Sequence, residues 1–155
     1  MDKAYFPLFV DISGMKVMVI GGGKIAARRV DTLIHFASNI TVIAPEITGS
    51  LAALNETGRI RCVGRQYKKG DVAEADMVLA ATDNRQLNDS IAAECKTLEQ
   101  ESGRKILFNA ADDKNLCDFY FPSVVIKDDI VIGINSGGHN PGKVKQVREK
   151  LEKEL

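Results

Sequence analysis

Residues 17–20, Val-Met-Val-Ile, run straight into Gly21-Gly22-Gly23-Lys24-Ile25-Ala26, and helical spacing follows at once. A buried strand, a glycine turn and a helix in that order leave a chain few folds to choose from. The spacing is G-x-G-x-x-A on Gly21, Gly23 and Ala26. In such a turn the first glycine permits the tight bend, and the second lets the backbone approach a phosphate. The small third residue brings the helix close to the strand. The helix N-terminus adds unpaired N–H groups and the positive end of its dipole. The motif alone is weak, but here it stands between a strand and a helix, the context it requires.

The rest of the chain repeats the alternation. Met15–Ile20 is the first strand, and residues 24–36 place Ile25, Ala26, Val30, Leu33 and Ile34 at helical spacing. Ile40–Ala44 is a second strand closed by Pro45, a helix over 47–57 ends at Gly58, and Arg59–Val63 is a third strand. Met77–Ala81 is a fourth strand, and Asp83 or Asn84 caps a helix carrying Leu87, Ile91, Ala92 and Cys95. Ile106–Asn109 is a fifth. Short apolar strands separated by helices predict a parallel sheet covered on both faces, an α/β, Rossmann-like doubly wound fold.

After residue 113 the pattern changes. Asp118–Ile126 and Ile130–Asn135, joined by Lys127-Asp128-Asp129, predict a β-hairpin. Ser136-Gly137-Gly138 then leads to Asn140 as N-cap, Pro141 at the first helical position and a charged C-terminal helix. Residues 1–113 are therefore expected to form the NAD-binding Rossmann domain and 114–155 an appended hairpin and helix. The hairpin strands alternate as half-buried strands do, and one chain of this size has little left to cover them. The expected solution is a homodimer in which these hairpins pair or swap, with 114–155 as the dimerisation region.

Composition removes several classes. Twenty-one basic and 21 acidic residues cancel without forming a basic block, which argues against nucleic acid. The three cysteines show neither zinc spacing nor a disulfide framework, so a reducing compartment and no metal site are expected. No apolar run approaches ~20 residues, and Pro7 interrupts the short apolar stretch near the start. The expectation is a cytoplasmic protein without a membrane partner.

Ligands of an open α/β sheet bind beyond the carboxyl ends of its strands. Strand one delivers Gly21, Gly22, Gly23, Lys24 and Ile25 there; strand two Pro45 and Glu46; strand four Thr82-Asp83-Asn84; strand five Asn109 through Asp113. Glu46 lies somewhat further on than the roughly 20 residues typical of the ribose-binding acid. It binds a ribose hydroxyl, or it caps the following helix. No Lys or Arg follows it before Arg59, which favours NAD over NADP. Asp112 and Asp113 point opposite ways if extended, so at most one faces the cleft; either that one serves as a general base, tuned by burial or a neighbouring carboxylate, or the pair is a solvated turn after the strand. Arg28 and Arg29 face either an anionic ligand or water. His139, in a glycine-rich loop, is a better ligand contact than His35 at a helix end.

These residues together resemble the precorrin-2 dehydrogenases of sirohaem biosynthesis, including the amino-terminal module of fused sirohaem synthases. The likeness covers nearly the whole chain. It runs through Tyr5-Phe6-Pro7-Leu8-Phe9, Val19–Gly23 with Ala26 and Arg28, Ala44-Pro45-Glu46 and Ala80–Asn84. It continues through Asn109–Asp113, Phe121-Pro122-Ser123 and Ser136-Gly137-Gly138. The resemblance implies oxidation of precorrin-2 to sirohydrochlorin with NAD as hydride acceptor. It implies Asp112 as the essential aspartate and NAD contacts at Lys24-Ile25, Pro45-Glu46 and Thr82. It points to Asn109, Ser136, Gly137 and Gly138 for the tetrapyrrole, whose carboxylates need cations or N–H donors; Lys143, Lys145 and Arg148 on the last helix either supply those cations or form a solvated face. Asn140 replaces the serine that usually precedes the family's proline. Some relatives also insert Fe²⁺ into sirohydrochlorin. Other readings are a non-enzymatic NAD-binding sensor, like the regulatory Rossmann modules of potassium transport systems, and a tetrapyrrole chelatase without redox function.

Overall fold

The computed structural model describes residues 3–155. They form two compact units, one of Val10–Asp118 and one of the chain up to Phe9 with Phe119–Leu155.

The first unit is built on five parallel strands: β1 (Lys16–Ile20), β2 (Asn39–Ile43), β3 (Arg61–Val63), β4 (Met77–Ala80) and β5 (Leu107–Ala110). Their order is β3-β2-β1-β4-β5, the doubly wound plan, with the direction of winding reversing between β1 and β4. Three helices connect them, α1 (Lys24–Leu33), α2 (Gly49–Glu56) and α3 (Arg85–Ser102). β4 lies between β1 and β5, and all four of its residues are buried.

Strand alternation sorts the core. Val78, Ala80, Phe108 and Ala110 pack with Ile91, Ala92 and Cys95 of α3 in one cluster. Their neighbours Leu79 and Asn109, opposite each other in the ladder, must turn to the other face. On α1, Ala26, Ala27, Val30 and Leu33 form the buried stripe. Asn84 caps α3 by accepting from the Leu87 N–H, and Gly103 ends it in the left-handed region at φ 71°.

Several local expectations change, and the first helix ends at Leu33 rather than residue 36. The helix expected over 47–57 begins at Gly49, because the Thr48 side chain is its N-cap. The third strand starts at Arg61, since Arg59 and Ile60 still return their N–H groups to Leu54. The first hairpin strand starts at Ser123 rather than Asp118. Asp118 instead belongs to β5: its N–H donates to Phe108 O at 2.8 Å, and its carboxylate accepts from Phe108 N at 2.9 Å. Pro122 has no N–H to donate to a ladder.

The second unit pairs β6 (Ser123–Lys127) with β7 (Ile130–Ile134) in antiparallel register, Val125 opposite Ile132. Asp128 in the tight turn adopts φ 54°, which aspartate tolerates better than most residues. α4 (Pro141–Glu154) packs on β6, and Tyr5 stacks on Tyr120 with ring centroids 3.8 Å apart.

Candidate functional site

The three glycines at the end of β1 are required for different reasons. Gly21 holds φ 123°, and a Cβ there would overlap the Ala81 carbonyl, lying 2.7 Å from its carbon. A Cβ on Gly22 would overlap the Glu46 carbonyl oxygen and sit 2.9 Å from the Ala44 Cβ. The chain's own close approach therefore demands both. Gly23 differs: its φ of −86° suits any residue, and nothing lies within 4 Å of a Cβ built on it. The protein itself supplies no reason for glycine there, whereas a phosphate resting against the backbone does.

The helix that follows fits the same ligand. Thr48, Asn84 and Asn140 each accept a hydrogen bond from a first-turn N–H of α2, α3 and α4, but α1 has no side-chain cap and no acid in its first turn. Its leading N–H groups have no intrahelical acceptor, and its dipole favours an anion.

Around this turn the structure assembles most of the residues expected at the carboxyl edge. The Thr48 N–H donates to Gly22 O at 3.0 Å, fastening the loop with Pro45 and Glu46 to the glycine turn. Glu46 is exposed, and the helix cap is Thr48, so the capping role considered for Glu46 does not hold. Thr82 lies two residues past β4, beside Gly21, and its hydroxyl donates to Oδ1 of the fully buried Asn88 at 2.6 Å. Asn88 Nδ2 donates back to Thr82 O. This pair braces the turn into α3.

At the end of β5 the two aspartates separate. Asp113 accepts from Asn115 N–H at 3.0 Å, caps a short 3₁₀ turn at Lys114–Leu116 and pairs with Arg85 at 3.5 Å. Asp112 is exposed and, among the described residues, makes no hydrogen bond or ion pair. The candidate base is therefore not buried. The backbone beside it is fixed: Ala111 N–H donates to Ala80 O at 2.9 Å, and the Cys117 thiol contacts Asp113 O.

Asn109 is buried, and its Oδ1 accepts from Arg29 Nη1. Burial lowers the pKa of this guanidinium. Of the two adjacent arginines, Arg28 is exposed and Arg29 turns inward. Sequence reading did not distinguish them; the signal available was that Asn109 alternates out of the α3 core toward the face opposite it.

Ser136, Gly137, Gly138 and Lys143 lie together in the second unit, at the start of α4. Ser136 Oγ accepts from Asn140 N–H, and Asn140 caps the helix through Lys143 N–H. Gly137 and Gly138 adopt φ 68° and 80°. Among the described residues no cluster of three metal-ligating side chains occurs, and no helix is long and apolar enough to cross a membrane.

Comparison with known proteins agrees with the turn. A family described as "Putative NAD(P)-binding" matches residues 8–123. The chain belongs to this NAD(P)-binding family. It is 33% identical over 148 residues to the siroheme synthase of Actinobacillus pleuropneumoniae serotype 3, covering 96% of this chain and 29% of that protein. It is 36% identical over 148 residues to the siroheme synthase of Pseudoalteromonas atlantica, covering 96% of this chain and 31% of that one. The chain thus spans about three tenths of the curated relatives it matches. The structure of SirC, precorrin-2 dehydrogenase, superposes with a TM-score of 0.81 at 21% identity, over 97% of this chain and 71% of that one. SirC therefore has the same fold.

Proposed function

We propose that this member of the NAD(P)-binding family dehydrogenates precorrin-2 to sirohydrochlorin with NAD as acceptor. The observation that carries the reading is the pairing on one sheet edge of a dinucleotide turn with a solvent-facing carboxylate, Asp112, whose neighbour is committed to the fold. The similarity to siroheme synthases and to SirC supplies the substrate. Gly21–Ile25 hold the pyrophosphate, Pro45 and Glu46 meet the adenosine ribose, and Thr82 lines the same edge. The Glu46 carboxylate accepts ribose hydroxyls and repels a 2′-phosphate, which supports NAD over NADP.

Removing two hydrogens from the substrate releases a hydride and a proton. NAD⁺, when bound, supplies the hydride acceptor. Asp112 takes the proton from the macrocycle and returns it to water, a task suited to an exposed carboxylate able to exchange freely. The resemblance assigns the substrate's carboxylates to the Ser136–Gly138 loop, and Lys143 at the start of α4 supplies a cation for them. A homodimer completes the reading: Phe6, Leu8 and Phe9 are 84%, 72% and 80% exposed in the hairpin unit, apolar surface that a second copy would cover. Sedimentation as a monomer at working concentration would remove that part alone.

Incubating the protein with precorrin-2 and NAD⁺ while following NADH and the tetrapyrrole spectrum tests the assignment. Stoichiometric NADH and sirohydrochlorin are expected. A folded protein that binds NAD but forms no NADH would leave the sensor reading in its place.

A further inference from the structure

We infer that Arg29 is a positioning residue for the dehydrogenation, holding the strand that carries Asp112 in register with the helix that carries the dinucleotide turn. The inference rests on the dehydrogenase reading above and adds to it a residue outside the glycine motif.

The case is geometric. α1 begins at the pyrophosphate turn, and β5 ends two residues before Asp112. The Arg29 guanidinium reaches from α1 to Oδ1 of Asn109, the residue of β5 that faces away from the α3 core. The bond therefore joins the two elements whose ends meet the two reactants. Further anchors of the Asp112 segment run to β4, α3, β5 and the 3₁₀ turn: Ala111 to Ala80, Asp113 to Arg85 and Asn115, Cys117 to Ala110 and Asp113. Those contacts fix the loop on the sheet, and the Arg29 guanidinium, electrostatically coupled to the Cys117 thiol as well, refers it to α1. A charged donor to a buried amide is stronger and more directional than a neutral one, and suits a spacer of fixed length. A displacement of about 1 Å between acceptor and base costs on the order of 100-fold in rate.

The experiment compares wild type with Arg29→Met, Arg29→Lys, Asn109→Ala and the Arg29→Met/Asn109→Ala double variant. Turnover, NAD affinity and amide exchange of residues 110–113 are measured on each. For Arg29→Met, kcat should fall about 10- to 100-fold while the NAD dissociation constant changes less than about 2-fold, because the pyrophosphate turn is untouched. Amides of 110–113 should exchange about 10-fold faster while those of β1 keep their protection. Arg29→Lys, which keeps a charged donor, should recover most of the rate. The double variant should be no slower than the worse single one, since both remove one contact.

Unchanged turnover in a folded Arg29→Met protein overturns the inference. So does a loss of NAD affinity and melting temperature in step with kcat, which marks a merely structural arginine. Unaltered exchange at 110–113 overturns it even if wild type does not turn over precorrin-2. Wild-type inactivity by itself counts only against the dehydrogenase reading.

Discussion

Replacing Gly22 or Gly23 by alanine separates the two reasons a glycine stands in the turn. In Gly22→Ala the new methyl overlaps the Glu46 carbonyl oxygen and lies 2.9 Å from Ala44 Cβ, against the 3.5–4.0 Å of an ordinary carbon contact. Relief requires the loop after β2 to retreat, which strains the bond from Thr48 N–H to Gly22 O. Overpacking of this kind costs about 1–3 kcal/mol and a lost backbone bond about 1 more. At roughly 2–4 °C per kcal/mol for a domain of this size, melting should fall by about 5–15 °C. Gly23→Ala meets no atom within 4 Å and needs no special φ. Its stability should change by about 1 kcal/mol or less, the difference between glycine and alanine at an N-cap. NAD affinity should nevertheless drop about 10- to 100-fold, the worth of one charge-assisted N–H contact at about 1.5–3 kcal/mol. Thermal unfolding and calorimetric titration with NAD on both variants provide the readouts. A folded Gly23→Ala protein that binds NAD as wild type does would refute the cradle argument, as would a Gly22→Ala protein of unchanged stability.

Glu46→Ala should weaken NAD binding about 10-fold, the value of a ribose hydrogen bond to a charged acceptor, and narrow the preference over NADP; equal loss for both dinucleotides would place Glu46 away from the ribose. Acid stability tests a different region. The hydrogen bond from Arg65 holds the Asp71 carboxyl below its ordinary value, with support from Lys68 N–H. A depressed carboxyl stabilises the fold above its unfolded pKa of about 3.9 and loses that contribution as pH falls through the folded value. Arg65→Gln should therefore lower the urea midpoint at pH 6, and the gap from wild type should shrink at pH 2.5. A gap independent of pH would mean the pair adds nothing through ionisation.

The sheet was legible in the sequence because its strands are short, apolar and punctuated by glycine or proline, and because strand ends carry the polar residues in an open α/β fold. What stayed hidden depends on side-chain direction. Arg28 and Arg29 are neighbours on one helix, and only the rotation of α1 decides which turns inward. The same holds for Asp112 and Asp113, one free at the edge and the other tied to Arg85 and Asn115. Asp118 looked like the start of a hairpin strand because the run after it is apolar. Its carboxylate is instead bound to the Phe108 N–H, a long-range contact that no local pattern encodes. Thr82 lies two residues past β4, and its bond with Asn88 needed the helix in position to be seen.

The central claim is that Asp112 performs the proton transfer beside an independently assembled NAD site. Asp112→Asn keeps the shape, removes the charge and, at an exposed position without internal partners, leaves the fold undisturbed. Turnover of precorrin-2 and NAD titration on this variant and wild type form the most direct measurement. NAD affinity should stay within about 2-fold of wild type and turnover should fall by at least about 100-fold, as expected for removal of a general base. Turnover equal to wild type would contradict it.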